Sequence, residues 1–382
     1  MQSVYLDHAA TSPMWPEARE AMLPYLGDHF GNPSSGHRWG REARHALEQA
    51  RERVAAALGA RRREIVFTGG GTEADNLSIL GAWRAGSRPD APVACSAIEH
   101  KAVLLACKAA HAGGAPLILL GVDENGHVDP ALLDEAIAAR PVILSVMWGN
   151  NEVGTMAPAA EIGARCRAAG VLFHSDAVQA FGKVPVRVDQ VPIDLLALSA
   201  HKFGGPKGVG ILYVRDGVEL EPLAFGGGQE GGFRSGTQNV AGAVGLAVAA
   251  EQSVRVLEKE SARLRTLRDE LQSALVQAIP GLVVNGGEPR LPHILNISVP
   301  DVDQEALVVA LDLEGVAVSV ASACQSGASA PSHVLSAMGR VLPHGASIRL
   351  SLGRTTTADD VRTAAEVIPR VVSRVTTAVS SA

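Results

Sequence analysis

The stretch Asp194–Val214, "DLLALSAHKFGGPKGVGILYV", decides the fold. "DLLALSA" and "GVGILYV" read as two apolar strands, and between them lie Lys202 and a turn rich in glycine and proline. A lysine just past a buried strand is partly desolvated, which lowers its pKa and lets it form an imine with an aldehyde. The ordinary alternative is a solvated lysine after a strand. Here Ser199 and His201 flank Lys202 with hydrogen-bonding groups and favour the chemical reading.

Upstream, strands and helices alternate. "EIVFT", "PVACSA", "PLILL", "PVILSVMW" and "VLFHSDA" read as strands; "TEADNLSILGAW", "KAVLLACKAAHAG", "DPALLDEAIAA" and "APAAEIGARCRAAG" read as helices. Asp129 and Pro130 open one of these helices, and Gly59 stops another that runs from Arg38 to Leu58. This alternation predicts an α/β fold with a mostly parallel sheet covered on both faces, where ligands bind at the carboxyl ends of the strands. Downstream the texture changes. One long helix is expected from about Val254 to Ile279, with Leu257, Leu264, Leu267, Leu271 and Leu275 on one face and Pro280 and Gly281 ending it. Short strands and helices follow. The 382 residues are therefore expected to form a large domain over 15–256 and a smaller α+β domain from 1–14 and 257–382.

A hydrophobic content of 47% supports sizeable cores, and a net charge of -6 argues against a general nucleic-acid binder. No apolar run approaches the roughly 20 residues that span a bilayer, and the start "MQSVYLDHAATSP" lacks a signal core, so no membrane association and a cytoplasmic location are expected. The four cysteines form no C-x-x-C pair. Cys95, Cys107 and Cys166 fall in apolar or alanine-rich elements and read as core thiols. Cys324 sits instead in "VSVASACQSGASAPSH" (Val318–His333), whose small residues bury little area, so little free energy opposes loop motion and a mobile arm is expected.

Several candidates for chemistry lie at the expected strand ends. "FTGGGTEADN" is a strand, a glycine turn and a helix start; Gly71 lets a ligand approach the backbone, and Thr72 as N-cap would leave amides exposed for a phosphate. A tight turn without ligand is the alternative. Gly69, Gly71 and Ala74 also match the loose G-x-G-x-x-A pattern of a nicotinamide oxidoreductase, but Asp90, in the loop "SRPDAP", is poorly placed to bind a ribose. Asp176 ends "VLFHSDA" and could hold a protonated heterocyclic nitrogen or merely cap the next turn. His100, Asn150 and Asn151 follow other strands, and Arg349 and Arg354 in "SIRLSLGR" offer guanidinium groups for a carboxylate. The histidines show no metal-ligand spacing, and no metal is expected.

Together these residues describe a pyridoxal 5'-phosphate (PLP) site. The chain resembles the cysteine desulfurases of the NifS/IscS type, in the class V aminotransferase-like family, in "YLDHAAT", "GNPSSGH", "TEADNL", "EHKAV", "NNEVG", "HSDAVQAFGK", "LSAHKFGGPKGVG", "FRSGTQN", "SACQSG", "PSHVLSAMG" and "IRLSLGRTTT", all in the family's order. The resemblance implies the aspartate-aminotransferase-like fold type I of PLP-dependent transferases, and a homodimer. It implies that Lys202 forms the imine with PLP, Asp176 pairs with the ring nitrogen and His100 stacks on the ring and assists proton transfer. Gln179 and Asn151 would contact the ring oxygen and substrate. Thr72, Ser199 and His201 would hold the phosphate, with Thr237 reaching in from the other subunit. Arg349 would bind the substrate carboxylate, and Cys324 would take sulfur from L-cysteine as a persulfide, leaving alanine. The persulfide would pass to an acceptor protein of iron–sulfur cluster assembly or of thiolation. A transaminase or selenocysteine lyase on the same lobes is the rival within PLP enzymes; a transaminase would not need Cys324. The chain departs from the family at His8, where Asn is common, and in the turn "GGG". It also ends soon after "VVSRVTTAVSSA", where members that feed iron–sulfur scaffolds usually extend further, which leaves the acceptor open.

Overall fold

The computed structural model describes residues 3–380 except 87, 89 and 321–330, with side chains described up to 376. Cys324, and the mobile arm expected around it, lie outside the described residues.

The expected alternation builds a seven-stranded sheet. Its order is Ile65–Thr68, Gly210–Val214, Leu195–Ser199, Leu172–Asp176, Ile143–Ser145, Val93–Ser96 and Leu117–Leu120. Gly210–Val214 pairs antiparallel with both of its neighbours, and the remaining pairs are parallel. Six strands therefore deliver their carboxyl ends to one edge: Thr68, Ser96, Leu120, Ser145, Asp176 and Ser199. All but the edge strand Leu117–Leu120, whose Leu119 is exposed, are buried on both faces, which is why they read as unbroken apolar runs. Helices follow where the 3.6-residue spacing places them: Arg38–Leu58, Gly71–Ala85, Lys101–Ala112, Pro130–Ala138 and Ala159–Ala169. Gly59 adopts φ 72°, a left-handed conformation that ends Arg38–Leu58. Asp129 caps Pro130–Ala138 by accepting from the Ala131 amide at 2.8 Å.

A second sheet of four antiparallel strands follows, in the order Ser319–Val320, Gly345–Ser351, Ile294–Pro300 and Val283–Asn285. Leu264, Leu267, Leu271 and Leu275 pack with its apolar residues and with Val4 and Leu6 in a core of its own. Val4–Tyr5 pairs in parallel with Val316–Ala317, so the chain's start joins this second core. Ala9 already belongs to the core of the large sheet.

The helix expected from about Val254 to Ile279 is Leu257–Ala278. A further helix, Val240–Arg255, precedes it and is bent from it by 72° at Val256, which has φ -102° and ψ 2°. The sequence reading did not include this helix, because Val240–Arg255 is apolar nearly all round: Ala243, Leu246, Ala247, Ala249 and Ala250 are buried, so it presents no amphipathic stripe. Among the described residues no single helix is long and apolar enough to cross a membrane.

One buried ion pair ties the loop before Val240 to the sheet. Arg51 donates to both carboxylate oxygens of Glu230 at 2.7 and 2.8 Å and to the Ile65 carbonyl at 2.6 Å, while Glu230 accepts from the Phe67 amide at 2.8 Å. Arg51→Met would leave Glu230 charged and unpaired. It should lower the unfolding free energy by about 3–5 kcal/mol, seen as a lower urea midpoint; an unchanged midpoint would show that the pair contributes nothing net.

Candidate active site

The glycine turn after Ile65–Thr68 opens the site. Gly70 has φ 153° and precedes the helix Gly71–Ala85, so the N-cap is Gly70 and not Thr72, which lies within the first turn. The correction has a steric reason: the strand turns into the helix through a backbone conformation that L side chains rarely adopt. A Cβ on Gly71 would approach Val178 to 2.8 Å, so glycine is what lets this helix end sit beside the turn after Asp176. Gly71, Thr72, Ser199 and His201 line one open cavity of about 860 Å³ together with Thr11 and Lys207. A helix N-terminus flanked by hydroxyls and a lysine suits an anion. Burial, Lys202 and Lys207 push His201 down to about 4, so its imidazole is neutral, with Nδ1 3.1 Å from the Thr11 hydroxyl.

Lys202 leaves the strand Leu195–Ser199 through a single 3₁₀ turn, and its Nζ donates to the carbonyls of Ala9 and Ala10 at 2.6 and 2.9 Å. Gln179 Nε2 reaches the same Ala9 carbonyl at 2.9 Å. Asp176 is buried at the end of Leu172–Asp176, and its Oδ1 accepts from the Val178 amide at 2.8 Å. Desolvation raises its pKa, while His100, that amide and Lys202 pull it back toward the ionised form. His100 caps Lys101–Ala112 through Nδ1, which accepts from the Ala102 amide at 3.1 Å. Asp75, His100 and Asp176 hold one ligand atom each within 4.8 Å of one another. Such a cluster can also accept a cation, which the expectation of no metal did not foresee because three separate elements supply it.

The second sheet brings Arg349. Its guanidinium donates to Asp7 at 3.0 Å and to the Asn151 carbonyl at 2.8 Å, while Nε is buried with no hydrogen-bond partner among the described residues. Asn150 and Asn151 part company. Asn150 is fully buried and bonds the Ile98 carbonyl and the amides of Glu152 and Val153, so it builds the turn. Arg354 stacks on Trp15 at 4.3 Å. Thr237 is exposed and is not among the residues lining the cavity of its own chain. His8 is buried edge-on against Tyr5 at 4.9 Å, and burial with nearby Lys183 pushes its pKa down to about 4. Cys95, Cys107 and Cys166 are free and buried, as expected of core thiols.

Both ends of the Cys324 segment are fixed at this site. Ser319, at its start, pairs with Arg349 across the second sheet. Beyond it, Ser332 donates to Glu152 and caps His333–Ala337 by accepting from Val334 and Leu335 at 3.1 and 3.2 Å. His333 Nε2 lies 2.9 Å from the Glu99 carbonyl. Sequence reading missed Asp7, Asp75, Glu99, Glu152 and His174. Two signals were available: Asp75 stands one helical turn after Thr72, and His174 alternates with Asp176 onto the same face of its strand.

A lysine and a carboxylate at neighbouring strand ends, a helix N-terminus for an anion, and an arginine from a second lobe define the class of protein. The chain belongs to the aminotransferase class-V family, whose model matches residues 4–363. It is 44% identical to a cysteine desulfurase IscS of Dictyoglomus turgidum over 98% of this chain and 96% of that one. Among solved structures it resembles a NifS-like protein with a TM-score of 0.91 and 35% identity, over 98% of this chain and all of that one. It also resembles SspA in complex with cysteine, with a TM-score of 0.80 and 35% identity over 92% of this chain and 99% of that one.

Burial pushes Glu152 up to about 7 against the opposing pull of Ser332 and Arg349. Its neutral form favours the folded state. That contribution is full below the ordinary carboxyl pKa of 4.5 and is lost as the pH climbs through about 7. Between about pH 5 and pH 8 the urea midpoint of the wild type should fall relative to that of Glu152→Gln. Parallel curves would show that Glu152 is ionised throughout.

Proposed function

We infer that the protein is a PLP-dependent cysteine desulfurase that converts L-cysteine to L-alanine and takes the sulfur onto Cys324. The observation that carries this reading is the convergence at one sheet edge of Lys202, Asp176 and His100, the Thr72–Ser199–His201 cavity, and both ends of the Cys324 segment. The similarity to cysteine desulfurases over nearly the whole chain supports it. So does the cysteine bound in SspA.

The donor set fits PLP. The helix end at Gly71, with Thr72, Ser199 and His201, suits its phosphate. Asp176 suits its ring nitrogen, Lys202 its aldehyde, His100 its ring face, and Gln179 with Asn151 its ring oxygen. When bound, PLP supplies the electron sink for breaking bonds around the substrate's α-carbon. Lys202 moves the proton at that carbon, an acid–base role open to an amine held at a strand end. Arg349, whose Nε has no partner among the described residues and which holds Asp7 on its other side, receives the substrate carboxylate. The Cys324 thiolate attacks the substrate sulfur. The S–S bond forms as the Cβ–S bond breaks, the carbon fragment keeps that electron pair, and after protonation it leaves as alanine. Cys324 is four residues past Val320, a tether of at most about 14 Å.

The active species is a homodimer. Supporting this, Leu26, Phe30, Trp39 and Phe225 are more than half exposed, bulky apolar side chains that a second subunit would cover. Thr237 is exposed in the loop that follows Phe225, where it can serve the partner's phosphate site. The persulfide then passes to an acceptor protein of iron–sulfur cluster assembly or thiolation.

Cys324→Ala should keep the yellow colour of bound PLP, while alanine formation falls about a hundredfold or more and no labelled sulfur stays on the protein. Lys202→Ala should lose turnover altogether. A keto acid in place of alanine, or labelled sulfur on Cys324→Ala, would overturn the reading.

A further inference from the structure

Behind Asp176 lies a deeper row of polar side chains that the proposed reaction does not use. Asp75, from the helix Gly71–Ala85, is 1% exposed, and its Oδ1 lies 3.5 Å from Nε2 of the fully buried His174. Neither atom has a hydrogen-bond partner among the described residues. On its other side His174 Nδ1 is 2.8 Å from the Ser145 hydroxyl, which donates to Glu99 at 3.4 Å. Glu99 also accepts from Ser96 at 2.9 Å and from the Met147 amide at 2.7 Å.

Asp75 and Asp176 cannot both carry charge. The ligand atoms of Asp75, His100 and Asp176 lie within 4.8 Å of one another, and two adjacent buried carboxyls do not both ionise. The surroundings say which takes the proton. Asp176 accepts from the Val178 amide and faces His100 and Lys202, all of which favour its charged form, whereas Asp75 Oδ1 has no hydrogen-bond partner among the described residues. A protonated Asp75 has Nε2 of His174, 3.5 Å away, as its acceptor; this requires the tautomer with its hydrogen on Nδ1, toward Ser145, and the Ser145 hydroxyl turned to Glu99.

We propose that Asp75 is a positioning residue for the cofactor: it holds a proton against Nε2 of His174 and so leaves Asp176 ionised toward the ring nitrogen. Burial first, then the charges of Asp176 and Glu99, raise Asp75 well above the carboxyl range, and burial holds His174 neutral by lowering it to about 3. The proposal rests on the reading of this site as a PLP site, and its test separates the two.

The first measurement needs no cofactor. The infrared difference spectrum between wild-type apoprotein and Asp75→Asn at neutral pH should contain the carbonyl stretch of a protonated, buried carboxylic acid. A carboxylate band in its place overturns the proposal. The second titrates apoprotein with PLP. His174→Leu removes the acceptor, frees the proton to move to Asp176 and should weaken PLP binding about tenfold. Adding Asp75→Asn to His174→Leu should recover most of that loss, because an amide does not ionise. A double variant weaker than His174→Leu would mean packing alone, and the proposal fails. Stoichiometric zinc uptake by the apoprotein, lost in Asp75→Asn, would make the cluster a metal site and equally overturn it. If wild type bound no PLP at all, the reading of the site would fall, while the infrared result would still decide the state of Asp75.

Discussion

Lys202 donates to the carbonyls of Ala9 and Ala10, and much of the molecule is arranged around that contact. The segment Val4–Trp15 is shared by both cores. Val4 and Leu6 bond to Gly315 and Ala317 in the second lobe; Ser12 and Trp15 bond to His201 and Gly204 on either side of the lysine. Ala9 links the two, donating to Ser351 in one lobe and accepting from Gln179 in the other. One strip of backbone thus fixes the amine, the glutamine and the second sheet together. Asp7 extends the strip to Arg349, so the group read as the carboxylate receptor and the group read as the imine-forming amine are positioned by neighbouring residues.

Burial sets the chemistry of the strand-end edge. Asp75, Glu99 and Asp176 are carboxyls in a region where the walls are apolar strands. Each must be neutral or compensated, since an isolated buried carboxylate shifts its pKa rather than stay charged. Glu99 has three donors and is nonetheless pushed up to about 8. Asp176 has the Val178 amide, and His100 and Lys202 nearby. The compensations differ, and so the three carboxyls have different roles although their exposure is alike.

The large sheet was legible because its strands are buried on both faces, and unbroken apolar runs between capped helices carry that information locally. Lys202 and Asp176 were legible for a related reason: each ends such a run. Asp75 was passed over, since an acid in the first turns of a helix is ordinarily there for the helix dipole, and its position one turn after Thr72 was the single cue in "TEADNL" that it faces the site. Its partner His174 is about a hundred residues away in sequence and meets it only across the sheet. The helix Val240–Arg255 was hidden because a helix apolar nearly all round shows no periodic stripe. Glu152 was passed over beside two asparagines, although it is the residue that holds Ser332.

The Cys324 segment gains its meaning from its ends. Ser319 belongs to a sheet whose next strand carries Arg349, and Ser332 begins a helix locked to Glu152 and, through His333, to Glu99. Among the described residues, then, it is Ser319 and Ser332 that tie this segment to the site, one through the second sheet and the other through the turn after Asn151. The anchoring hydrogen bond at the second end runs from the Ser332 hydroxyl to Glu152, a carboxyl that burial pushes up to about 7. Arg349 is among the groups that pull Glu152 down, so both ends of the segment meet one guanidinium: Ser319 pairs with Arg349 across the second sheet, and Glu152, which accepts from Ser332, feels its charge.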